Sequence, residues 1–216
     1  MKKILALTIL SLAVLSCKKD KITPQTPPPN TNASYTHVTT AGSYWVYDWY
    51  DVDSTGNETP WTDFGKDTMR IIGDTTINGK VFQHYKGKFW GSLNEYFTRD
   101  SSGYVINPNG KIAYSYIGFP MLLTSNSDSN IKWESFIGEK QMINTTFGSK
   151  EANTFFIAVS MEDGTPINVC GDHSVHLYSY YVSGLGCTGQ EMAYISQLQS
   201  LCMIKRSKLS AYYIAP

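Results

Sequence analysis

From residue 42 onward the chain runs in short stretches of β-forming residues separated by clusters of glycine, asparagine and aspartate, and this punctuation admits little besides antiparallel sheet. The first stretch, residues 42–52, holds Tyr44, Trp45, Val46, Tyr47, Trp49, Tyr50 and Val52 and closes on the turn-forming Asp53-Ser54-Thr55-Gly56-Asn57. In a strand, Tyr44, Val46, Tyr50 and Val52 share one face and Trp45, Tyr47 and Trp49 the other. Both faces are apolar or aromatic, so such a strand is covered on both sides or has one face lining a groove.

The pattern repeats along the chain. Residues 67–72 and 81–86 read as strands around Asn78-Gly79, the pair that most readily takes the positive φ of a tight hairpin. Residues 89–99 follow, with Leu93, Glu95 and Phe97 alternating against Asn94, Tyr96 and Thr98, and then a turn at 100–103. A second hairpin joins 104–106 to 111–117 through Asn107-Pro108-Asn109-Gly110. Pro120 marks 118–123 as a buried crossing segment or an edge, and residues 125–130 read as a polar loop. Strands are expected at 133–137, 139–147, 154–160, 175–182 and 209–214, with a bend at Gly184 and Gly186. Met192, Ile195, Leu198 and Leu201 recur at three-residue spacing, so residues 191–204 could form a short helix. The predicted class is therefore all-β: an antiparallel β-sandwich or an open β-barrel-like sheet with at most one short helix. Aromatic residues at 13% and charged residues at 17% agree with an exported β-protein.

The N-terminus carries a different message. Lys2 and Lys3 precede an apolar run from Ile4 to Leu15, which ends at Ser16-Cys17. A run of that length falls short of the ~20 apolar residues that span a bilayer, so it reads as a signal segment. Val14, Leu15 and the small Ser16 directly before Cys17 resemble a bacterial lipobox. That resemblance implies removal of residues 1–16 and acylation of Cys17; an ordinary cleaved signal abutting a cysteine is the alternative. Residues 18–33 are polar and contain Pro24, Pro27, Pro28 and Pro29. Extended polyproline II over roughly 16 residues would reach up to ~50 Å. The expected organisation is thus a signal peptide (1–16), a lipidated Cys17 with a disordered tether (17–33), and a single β-rich domain (34–216).

With its lipobox, proline-rich tether, opening Gly-Ser-Tyr-Trp-Val-Tyr, the Arg99-Asp100-Ser101-Ser102-Gly103-Tyr104 turn and a late Tyr-Tyr-Val-Ser-Gly-Leu-Gly, the chain resembles small lipoproteins of Bacteroidota. The resemblance implies an all-β fold and a lipid anchor in the outer membrane, and it transfers no catalytic residue. In such bacteria an acid-rich segment after the lipidated cysteine directs display at the cell surface. Lys18-Lys19-Asp20-Lys21 has one acid, so the face of the membrane stays open.

Sequence motifs exclude more chemistry than they suggest. Lys+Arg and Asp+Glu are equal at 18 each, which leaves no basic footprint for nucleic acid. Gly184, Gly186 and Gly189 match a dinucleotide-binding spacing, but Ile204, Lys205 and Arg206 stand where the ribose-binding acid belongs. Residues 73–80 have five residues between glycines where a phosphate loop needs four. Cys170, Asp172, His173 and His176 could be imagined around zinc, yet an odd spacing in a strand puts the two histidines on opposite faces. No metal and no cofactor are expected. The acids Asp48, Asp51, Glu95 and Glu134 could pair as in a glycosidase, although no spacing singles them out. Trp61 and Trp90, flanked by polar and glycine residues, are the tryptophans best placed to act as exposed platforms for a sugar ring. Of the three cysteines beyond Cys17, a hairpin with Val182 opposite Cys187 would bring Cys170 near Cys202, giving one disulfide; three buried thiols are the alternative. Two functions follow: a non-catalytic binding module for a glycan, a peptide or an envelope partner, or a hydrolase whose carboxylates converge only in the fold.

Overall fold

The computed structural model describes residues 37–53, 55–63, 65–116, 121–128, 130–163, 174–193 and 204–216. Cys17, the tether, Cys170 and Cys202 lie outside them. The described residues form fourteen strands. The first seven are β1 (Tyr44–Val52), β2 (Glu58–Pro60), β3 (Asp67–Ile77), β4 (Lys80–Phe89), β5 (Ser92–Ser101), β6 (Tyr104–Ile106) and β7 (Ile112–Ser115). The second seven are β8 (Met121–Asp128), β9 (Ile131–Ile137), β10 (Gln141–Thr145), β11 (Gly148–Met161), β12 (Ser174–Val182), β13 (Gly186–Ala193) and β14 (Ile204–Tyr213).

All pairings are antiparallel, in the order β7-β6-β5-β4-β3-β1-β14-β13-β12-β11-β9-β8, with β2 beside β1 and β10 beside β11. The sheet is thus two meanders riveted together by the pairing of β1 with β14, from Tyr44↔Tyr213 to Val52↔Ile204. It curls until its ends meet. β7 and β8 share no ladder; side chains close the seam instead. Tyr104, Ile106 and Ile112 pack against Met121, Leu123 and Ile137, and Val105 and Tyr114 pack against Phe155 and Tyr181. The result is the open barrel of the two expected forms.

Alternation decides what faces inward. On β1, Trp45, Tyr47 and Trp49 are buried and Tyr44, Val46 and Tyr50 are half-buried, so the tryptophan-bearing face forms the core with Met69, Ile71, Tyr85 and Leu209. The backbones approach closely at Gly87, where a Cβ would sit 2.0 Å from the Thr68 carbonyl oxygen.

Several expectations are corrected. Residues 125–128 are not loop: they continue β8, because the ladder to β9 pairs Ser125 with Glu134 and Asp128 with Ile131 regardless of their polar side chains. The expected strand at 89–99 begins only at Ser92, since Trp90 and Gly91 form the turn between β4 and β5 with φ of 55° and 70°. β11 starts at Gly148, six residues before the expected 154. Residues 191–193 are strand, and Ile204 opens β14; residues 194–203 lie outside the described residues. Val182 pairs with Gly186 and Tyr181 with Cys187, one place from the register assumed for the Cys170–Cys202 disulfide.

Candidate functional site

The barrel interior is not completely filled. A cavity of about 330 Å³ lies among β1, β3, β4, β5, β7, β12 and β13, with His37 and Val38 at one side. That volume is at the small end of the range for ligand pockets. Its wall is aromatic. Trp45, Tyr85 and Tyr96 form a stacked row, with ring centroids 6.2 Å and 4.6 Å apart. Tyr114 and Tyr181 stack at 3.8 Å. Tyr85 and Tyr96 are direct cross-strand partners on β4 and β5, which is the geometry that brings rings into contact across a sheet; Trp45 on β1 and Tyr85 on β4, like Tyr114 on β7 and Tyr181 on β12, meet from strands that share no ladder.

The polar groups of the wall are held uncharged or already engaged. Tyr47 donates its hydroxyl to the Cys187 carbonyl at 2.9 Å, and the Trp45 indole N–H donates to the Leu185 carbonyl. Burial pushes the Tyr47 phenol well above its ordinary range and the Tyr85 phenol to about 12. Burial also pushes the Cys187 thiol up to about 11, so this free cysteine is protonated at neutral pH and a poor nucleophile. His37 Nδ1 lies 2.5 Å from the Tyr114 hydroxyl. Burial lowers the His37 pKa, with Asp100 pulling the other way. Among the described residues that line the cavity, Glu95 is the only carboxylate and none is lysine or arginine. Hydrogen bonding to Lys86, whose Nζ is 2.5 Å away, holds the Glu95 carboxyl below its ordinary range.

Of the four acids considered from sequence, Glu95 alone lines the cavity. Each is engaged by a lysine: Asp48 by Lys66 at 2.6 Å, Asp51 by Lys205, Glu95 by Lys86, and Glu134 by Lys132 at 2.8 Å.

Trp61 and Trp90 do come together, with ring centroids 5.3 Å apart, and both stand against the buried Trp49 at 6.5 Å and 5.0 Å. Both are half-buried, and neither lines the cavity. Lys205 Nζ lies 4.1 Å from the centre of the Trp61 ring. The cluster is built on Asp67, a fully buried carboxylate that accepts the Trp49 indole N–H at 2.7 Å, the Trp90 backbone N–H and the Gly91 N–H. Those bonds hold Trp90 at a positive φ that a bulky L-residue rarely adopts.

Sequence reasoning missed the cavity residues Tyr85, Tyr114 and Tyr181 as a group. Tyr85 lies on β4, Tyr114 on β7 and Tyr181 on β12, and alternation within each strand marks a face but not what that face encloses.

No protein-family profile matches the chain, and no curated protein matches it. Two solved structures are similar to it in fold. One is a chain described as an exported protein with a YmcC-like fold from Bacteroides fragilis, 10% identical with a TM-score of 0.44. The other is described as a lipoprotein from Parabacteroides distasonis, 11% identical with a TM-score of 0.46. Each match covers 84% of this chain and 100% of the other.

Proposed function

We propose that the chain is a cell-envelope protein, anchored in the outer membrane through a lipid on Cys17, that binds a ligand without transforming it. The observation that carries the reading is the aromatic cavity of about 330 Å³ with a single, lysine-engaged carboxylate. Binding needs a preformed surface with a few anchors, whereas hydrolysis needs positioned acids and bases. The four candidate acids are tied to lysines, and the Cys187 thiol is protonated. The cavity wall suits an uncharged aromatic or branched apolar group.

Titration with p-cresol and indole, followed by the fluorescence of Trp45 in the cavity wall, tests this. Saturable quenching that weakens in Tyr96→Ala without loss of the fold is expected. Quenching indifferent to Tyr96→Ala would refute it, as would turnover of glycan, ester or peptide substrates that is lost in Glu95→Gln.

A second reading concerns glycans. Trp61 and Trp90 are adjacent and half-buried, so they offer a sugar platform at one end of the barrel. Weaker oligosaccharide binding in Trp61→Ala would support it; binding unchanged by both Trp61→Ala and Trp90→Ala would remove it.

A further inference from the structure

We infer that the cavity is filled by one side chain of an extended peptide from a partner protein, which joins the sheet at the free edge of β5; the inference rests on the cavity reading above. Phe89 and Ser92 pair across the two-residue turn at Trp90-Gly91. In such a hairpin the closing pair, and every second pair after it, exchanges backbone hydrogen bonds. Ser92, Asn94, Tyr96 and Thr98 therefore bond to β4, while Leu93, Glu95 and Phe97 turn their N–H and C=O groups the other way. β6 occupies that side only opposite Arg99, Asp100 and Ser101. Among the described residues no strand pairs with Leu93, Glu95 or Phe97 on that edge.

The same alternation connects the edge to the cavity. Asn94, Tyr96 and Thr98 line it, and Asn94 and Tyr96 are exposed, so the cavity reaches solvent beside β5. A strand laid antiparallel on this edge would bond through Leu93, Glu95 and Phe97, continuing the line of β6. Its residue opposite Tyr96 would then share Tyr96's side of the sheet and enter the cavity. The edge lacks the proline or bulge that blunts many free strands, and its one charge, Glu95, is matched by Lys86. Leu93, 84% exposed, offers apolar contact on the outer face. With the Glu95 carboxylate in the lining and, among the described residues, no lysine or arginine there, an acidic inward residue is disfavoured. The partner is therefore an extended segment with an aromatic or branched apolar residue at the inward position, and polar residues are tolerated on either side of it.

The probe is a capped heptapeptide of threonines with a central tyrosine, titrated against the full chain alongside p-cresol. Methylation of the third and fifth peptide amides removes two of the three donors aimed at Phe97, Glu95 and Leu93, and should weaken binding by about tenfold or more. Methylation of the fourth amide, which faces away, should change it less than about twofold. Bound peptide should slow hydrogen exchange at the Leu93, Glu95 and Phe97 amides and leave the Tyr96 amide unchanged. Leu93→Pro deletes an edge donor outside the β4 ladder and should weaken the peptide but not p-cresol, with Leu93→Thr controlling for the lost side chain. If p-cresol binds and the peptide binds no tighter, or methylation of the third and fifth amides has no effect, the edge inference falls and the cavity reading stands. If neither probe binds, both fall.

Discussion

Replacing Asp67 by alanine should be among the most damaging single changes in the molecule. The carboxylate is fully buried and accepts three donors: the Trp49 indole N–H, the Trp90 N–H and the Gly91 N–H. Trp49 is 2% exposed, so its orphaned N–H bears nearly the whole desolvation penalty, about 1–3 kcal/mol for a buried donor. The two backbone donors are part-buried and contribute less each. Losing them also frees Trp90 from a left-handed conformation that costs about 1–2 kcal/mol to hold, a relief that offsets part of the loss, while Trp90 gives up its seat against Trp49. The combined loss should be about 3–5 kcal/mol. For a domain of this size, at about 2–4 °C per kcal/mol, that corresponds to a fall in Tm of roughly 6–20 °C. Urea and thermal denaturation followed by tryptophan fluorescence would measure it, with Asp63→Ala as a control. Among the described residues, Asp63 accepts the Trp61 indole N–H at 3.1 Å in a solvent-exposed bond, and its loss should stay within about 0.5 kcal/mol. If Asp67→Ala costs under about 1 kcal/mol, the carboxylate does not organise the turn and the account of Trp90 is wrong.

Gly87→Ala should prevent normal assembly of β3 and β4, because the new methyl would fall 2.0 Å from the Thr68 backbone oxygen; a soluble variant with unchanged circular dichroism and Tm would contradict this. Since burial, partly opposed by Asp100, leaves the folded His37 pKa below its ordinary 6.5, the unfolded chain takes up the proton first as pH falls. Stability should be level above that value and decline below it, and His37→Gln should lose this part of the decline when urea midpoints are compared at about pH 7.5 and about pH 5.5. Identical pH dependence in the two proteins would rule the effect out. Cys17→Ala should abolish lipid mass and partition with the outer membrane; retention of both means the lipobox reading fails.

Turns were legible where residue type announces backbone conformation. Asn78-Gly79, at φ of 51° and 72°, is such a pair, and Ser102-Gly103, at 55° and 93°, lies within the expected turn at 100–103. Trp90-Gly91 was not, because a tryptophan at φ 55° is stabilised by Asp67, 23 residues earlier in the chain. Strand faces were legible too: Trp45, Tyr47 and Trp49 share the buried side of β1 as their alternation predicts. Residues 125–128 misled because their polarity describes an edge strand as well as a loop, and only the β9 ladder separates the two. The surroundings of the candidate acids were illegible for a related reason. Spacing along the chain carries no trace of Lys66, Lys86, Lys132 and Lys205, which engage them in the fold.

The pairing of β1 with β14 has a kinetic consequence. Ser210 donates to the Val46 carbonyl across 164 residues of sequence, and the whole β1 edge waits for the same late strand. Contacts of such long range slow folding, towards the millisecond-to-second regime of barrels and sandwiches. Until β14 is in place, each meander has a bare inner edge, and Trp45, Tyr47 and Trp49 lack the neighbours Tyr212, Leu209 and Ser207. A chain emerging N-terminus first would carry that aromatic edge unprotected through most of its own synthesis or export, the state in which β-proteins self-associate. Deleting residues 204–216 should therefore trap two unjoined half-sheets, and chaperones that hold unfolded strands would find their target in residues 44–52.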